Sequence, residues 1–190
     1  MLAPLDGSSV GANLSARFSL GAGRLLTIGR PGATFSGDDA ECAEGMLTRS
    51  SHIEICAEIY IALGSNDILA AVAANVDVPD FVATIVRACE RLYKSEAVER
   101  ASSVLLVEPL AIEDTSAFAD RRFRDDVIRY REAFTQSIRR GASKYGLRSA
   151  SLEFPESCYG YTGPDKMHPN FKGVMCLTKA FEALITRPPL

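Results

Sequence analysis

Apolar residues along this chain follow two rhythms. Short runs rich in branched aliphatics alternate with longer stretches in which apolar positions recur every three or four residues. Leu25-Leu26-Thr27-Ile28 reads as a strand, closed by Gly29-Arg30-Pro31-Gly32. Residues 53–63 carry Ile53, Ile55, Ile59 and Ile61 and give the strongest strand signal, with room for a lead-in. Val104-Leu105-Leu106-Val107 is short, continuous and ends just before Pro109, the pattern of a strand buried on both faces of a parallel sheet. Leu147 to Leu152 is a weaker strand candidate.

Three helices are expected between and after these runs. Phe81, Ile85, Cys89 and Leu92 form one stripe within 80–93. Phe123, Val127, Tyr130, Phe134 and Ile138 form a second within 120–140, with charges opposite. Phe171, Val174, Thr178, Phe181 and Leu184 form a third within 171–185. Such stripes are core faces. Segments 69–80 and 110–120 are expected to be loops that wall a pocket, although Ala70, Ala71, Ala73 and Ala74 of the first could equally pack a helix. Alternating strands and helices imply βαβ units and a three-layer α/β/α sandwich. With a short strand at the N-terminus, the central, mostly parallel sheet has five strands.

A length of 190 residues suits a single domain spanning 1–190, with no linker or repeat to divide it. Hydrophobic content of 47% and charged content of 24% are ordinary for a globular chain. A net charge of −3 gives no basic stripe for nucleic acid. The cluster Arg121-Arg122-Phe123-Arg124 is answered at once by Asp125-Asp126 and reads as a solvated helix face. No apolar run reaches membrane-span length, and no signal peptide is visible. A cytoplasmic location is therefore expected, although a mature secreted form has the same sequence. The five cysteines are odd in number and form no C-x-x-C pair, which suggests free thiols in a reducing compartment. No zinc spacing or cofactor motif is present, so no metal and no cofactor are expected. Oligomeric state is not encoded in any visible pattern.

The run Asp165-Lys166-Met167-His168-Pro169-Asn170 carries the sharpest chemistry. An Asp three residues before a His can accept the Nδ1–H, leaving Nε2 as a base. Pro169 restrains His168 to an extended backbone, and Pro169 or Asn170 can open the final helix. Ser9 lies in Asp6-Gly7-Ser8-Ser9-Val10-Gly11, Gly37 in Thr34-Phe35-Ser36-Gly37-Asp38, and Asn66 in Gly64-Ser65-Asn66-Asp67. Ligands in open α/β sheets bind beyond the carboxyl ends of strands, and these blocks fall after expected strands or before the last helix. The fold therefore gathers them at one rim.

In this order the blocks resemble those of the SGNH, or GDSL-type, hydrolase superfamily, over nearly the whole chain. The resemblance implies a flavodoxin-like fold and a serine esterase acting on a small-molecule or carbohydrate ester. It implies a triad of Ser9, His168 and Asp165. The oxyanion hole would comprise the Ser9 and Gly37 N–H groups and the Asn66 side-chain amide. Two departures stand out. The family's first block reads Gly-Asp-Ser where this chain has Gly7-Ser8-Ser9, which makes Ser8 a rival nucleophile. The family also places a full strand before that block, where this chain has Met1–Asp6 with Pro4 inside it.

Plainer roles exist for each residue. Ser9 can be a turn residue, and Gly37 a turn glycine beside a helix cap at Ser36 or Asp38. Asn66-Asp67 can be a strand-to-helix turn with Asp67 as the cap. His52 reads as surface or structural. Acyl transfer to an alcohol is a close variant of the same chemistry, and a non-catalytic carbohydrate- or acyl-binding module is the alternative of a different class.

Overall fold

The computed structural model describes residues 32–38, 42–49, 58–109, 121–152 and 170–186. The elements in chain order are α1 (Ala43–Arg49), β1 (Glu58–Ile61), α2 (Ser65–Ala73), α3 (Val78–Tyr93), α4 (Glu96–Arg100), β2 (Ser103–Val107), α5 (Arg121–Tyr145), β3 (Arg148–Ala150) and α6 (Phe171–Thr186). The described residues up to Ser151 belong to one compact unit, and Leu152 and α6 to a second.

In the first unit the three strands form a parallel sheet in the order β1-β2-β3. Ile59 pairs with Val104, and Leu106 with Ser149. Val104 to Val107 are all buried, as expected for a central strand covered on both faces. Strand β1, at one end of this order among the described residues, buries alternate residues, Ile59 and Ile61. Parallel neighbours require crossovers. Helices α2, α3 and α4 connect β1 to β2, and α5 lies between β2 and β3. An α/β fold with a parallel sheet is thus present. The expected strand at 25–28, the short N-terminal strand, residues 53–57 and the 110–120 loop lie outside the described residues.

The two longer helices of this unit follow their sequence stripes. Pro79 sits in the first turn of α3, where its missing N–H costs nothing. Phe81, Ile85, Cys89 and Leu92 are buried along its inner face. Helix α5 buries Val127, Tyr130, Phe134, Ile138 and Ala142. The two helices approach closely at Gly141, where an added Cβ would lie 2.5 Å from Cys89 Sγ. Phe81 meets Tyr130 at 5.2 Å and Phe134 at 6.3 Å between ring centroids.

The 69–80 segment is a loop only over 74–77. Ala70, Ala71 and Ala73 lie in α2, and Val78 begins α3. Alanine is the strongest helix former, and here that propensity prevails. In the second unit, α6 opens as expected at Asn170, whose Oδ1 accepts the Gly173 N–H at 2.8 Å. Val174, Leu177 and Thr178 are buried, whereas Phe171 at the head of the expected stripe is 65% exposed.

The cysteines require a correction. Cys42 and Cys89 are free and buried, but Cys176 is disulfide-bonded, to a partner outside the described residues. A disulfide needs only Cβ atoms about 4 Å apart in space, so wide spacing in sequence does not exclude one. Among the described residues no helix is long and apolar enough to cross a membrane.

Candidate functional site

The described part of the site starts where β1 ends. The chain leaves Ile61, turns at Gly64 and enters α2 at Ser65. Gly64 has φ +132°, and a Cβ there would lie 2.4 Å from Phe134 Cζ. Backbone conformation and space both require glycine. Phe134 is fully buried and supports the turn from below.

This turn presents Asn66 and Asp67 to the segment 33–38. Asn66 Nδ2 donates to Ala33 O at 2.8 Å. Asp67 accepts the N–H of Phe35 at 2.7 Å, the N–H of Ser36 at 2.8 Å and the Ser36 hydroxyl at 2.6 Å. Its side chain is 5% exposed, so the three donors replace water around a buried carboxylate. The Phe35 ring then packs edge-on against Phe134, with centroids 5.7 Å apart.

Arg91, in the last turn of α3, holds the same segment. Its Nη2 donates to Ser36 O and Gly37 O, both at 2.9 Å, and lies 3.3 Å from Asp38 Oδ1. Its Nε donates to Glu44 in α1 at 3.1 Å. The Gly37 N–H donates to Thr34 Oγ1 at 3.2 Å. The Thr34 carbonyl accepts the N–H of Ala43 at 3.0 Å, which fixes the segment's start to α1.

Gly37 and Asn66 therefore stand on two segments joined by four hydrogen bonds. Asn66 retains a second amide proton beyond the one given to Ala33. Of the plainer roles, the one that the geometry changes is that of Asp67 as a helix cap. The N-cap of α2 is Gly64, and Asp67 binds the neighbouring segment instead of capping its own helix. Ser36 and Asp38 are engaged with Asp67 and Arg91. Ser8, Ser9, His52, Asp165 and His168 lie outside the described residues. Arg91 and Thr34 carried no sequence signal as site residues. Arg91 reaches its carbonyls across 55 and 54 positions of sequence.

Elsewhere among the described residues, titration is shifted by burial or pairing. Burial pushes the Cys89 thiol up to about 12, which leaves it protonated and inert. Burial and the Glu58 carboxylate beside it push the Tyr60 hydroxyl up to about 12. Among the described residues no three His, Cys, Asp or Glu side chains gather as a metal-binding group.

No family model matches the chain, and no curated protein does. Two solved structures share its fold. One is LAE5, an α/β hydrolase enzyme from the metagenome of Lake Arreo, Spain. It has 17% sequence identity and a TM-score of 0.59, over 92% of this chain and 78% of that one. A second solved chain has 19% identity and a TM-score of 0.60, over 91% of this chain and 81% of that one. At such identities the likeness is one of fold.

Proposed function

We propose that residues 1–190 form one SGNH-type domain that hydrolyses carboxylic esters through an acyl-serine intermediate. The observation that carries this reading is the locked pair of segments bearing Gly37 and Asn66. Asp67, Arg91 and Asn66 fix their relative placement before any substrate arrives. Preorganised donors of this kind stabilise a developing oxyanion, and one such donor is worth about 10²–10³ in turnover. The fold shared with LAE5, an α/β hydrolase enzyme, supports a hydrolase in the broad sense.

In this reading His168 Nε2 takes the Ser9 hydroxyl proton as Oγ attacks the ester carbon. Asp165 holds the imidazole and stabilises its charged form. The carbonyl oxygen becomes an oxyanion facing the Ser9 and Gly37 N–H groups and Asn66 Nδ2. Collapse of the tetrahedral species expels the alcohol, which receives the proton from His168. Water then attacks the acyl-serine with His168 again as base, releasing the acid. An alcohol in place of water gives acyl transfer.

Fluorophosphonate labelling followed by intact mass and peptide mapping tests the reading. A single adduct on Ser9 is expected, absent in Ser9→Ala, and both Ser9→Ala and His168→Ala lose esterase activity while remaining folded. An adduct on Ser8 instead reassigns the nucleophile. Full activity in either variant, or no adduct on folded protein, sinks the mechanism. One observation favours the alternative of a non-catalytic binding module. The Gly37 N–H and one Asn66 N–H already have partners in Thr34 and Ala33.

A further inference from the structure

We propose that Arg91 is a positioning residue for the oxyanion hole: it aims and polarises the Ser36–Gly37 peptide, whose N–H is the Gly37 donor. The inference rests on the ester-hydrolase reading above. Ser36 C=O and Gly37 N–H belong to one planar unit, and there is no cis peptide among the described residues. In a trans peptide these two bonds point in opposite directions. A side chain that holds Ser36 O therefore sets where the Gly37 N–H points.

Arg91 Nη2 holds that oxygen at 2.9 Å and also holds Gly37 O at 2.9 Å. The carbonyls before and after the Gly37 Cα are thus tied to one rigid, planar cation. Glu44 on Nε and Asp38 beside Nη2 keep the guanidinium in place. Asp67 grips the preceding N–H groups of Phe35 and Ser36. One loop is held by a carboxylate through its N–H groups and by a guanidinium through its carbonyls.

The charge adds a second effect. A cation on a peptide oxygen draws electron density from the amide and makes its N–H a stronger donor. The donor so strengthened is the one that would meet a negatively charged oxygen. Thr34 Oγ1 now accepts that N–H over a long 3.2 Å. A neutral hydroxyl is a weaker acceptor than an oxyanion, so substrate displaces it. Lysine cannot substitute fully, because a single ammonium lacks the fork that spans Glu44 and the two carbonyls.

The test compares Arg91→Met, Arg91→Lys and Arg87→Met with wild type. Arg87 lies on the same helix, where it donates to Thr84, and controls for loss of charge. Two readouts are taken: the Gly37 amide by ¹⁵N–¹H NMR with its hydrogen exchange, and kcat and KM on p-nitrophenyl acetate. Arg91→Met is expected to shift the Gly37 amide, quicken its exchange and lower kcat roughly 10- to 100-fold. KM stays within about threefold, because the lost interaction acts in the transition state. Arg91→Lys recovers part of kcat, and Arg87→Met matches wild type. Should Arg91→Met fail to fold, Arg91→Lys supplies the same two readouts.

An unmoved Gly37 amide, or an equal loss of kcat in Arg87→Met, overturns the proposal. An active wild type whose Arg91→Met variant keeps full kcat overturns the role of Arg91 alone. A wild-type protein inert to both the ester and fluorophosphonate overturns the hydrolase reading, and the catalytic role of Arg91 with it.

Discussion

Asp67 satisfies three donors from a neighbouring segment while almost fully removed from water. Its position in the first turn of α2 helps, since the positive end of the helix dipole favours a carboxylate there. Removing it strands the N–H groups of Phe35 and Ser36, each worth about 1–3 kcal/mol when left unpaired. Asp67→Ala is therefore expected to destabilise the fold by about 3 kcal/mol in urea denaturation. Asp67→Asn should cost less, because one oxygen remains an acceptor while the new NH₂ faces a donor. In the proposed enzyme both variants also lower kcat, although Asp67 touches no substrate, because the Gly37 segment loosens. A loss below about 0.5 kcal/mol in Asp67→Ala would mean that water replaces the carboxylate without penalty, contrary to its burial.

Helix α5 reaches the site through Phe134, whose ring lies under both the Gly64 turn and Phe35. Gly64→Ala meets two penalties: about 1–3 kcal/mol for a side chain at φ +132°, and about 1–3 kcal/mol for overpacking against the ring. Thermal or urea unfolding should register a combined loss of about 2–6 kcal/mol. Adding Phe134→Leu should recover only the packing part, so the two changes couple in a double-mutant cycle. Purely additive losses would place the whole penalty in the backbone. The long helices were legible because their stripes are continuous over several turns. Helices α1, α2 and α4 were not. They run to 7, 9 and 5 residues, too short for helix formation without tertiary packing. The alanine row of α2 offers no polar face against which to read a stripe, so it passed for a loop.

Across the whole molecule, the turns that carry Gly37 and Asn66 were legible because a short block marks each. Arg91 was not, because its partners are assembled by the fold and no local spacing marks them. The same holds for Cys176, whose disulfide removes the cysteine argument for a reducing compartment, since such bonds persist under oxidising conditions. Long-range pairing also makes the fold acid-sensitive at Glu108, just beyond β2. Its carboxylate takes Arg139 Nε at 2.5 Å and Nη2 at 2.8 Å from α5, and the Ser151 hydroxyl at 2.5 Å after β3. Burial pushes this carboxyl up, but the Arg139 and Ser151 hydrogen bonds outweigh it and hold it below its ordinary value. An unfolded chain returns it to about 4.3. The folded state thus binds this proton less readily. The resulting stability is fully present above about pH 4.3 and is lost as pH falls through the depressed folded value. Urea denaturation of wild type and Glu108→Gln across pH isolates this group, because the other carboxylates are common to both. The stability gap should be level from pH 7 to about 5 and shrink at lower pH. A gap that widens on acidification, or one absent at neutral pH, would show that burial and not Arg139 governs the carboxyl.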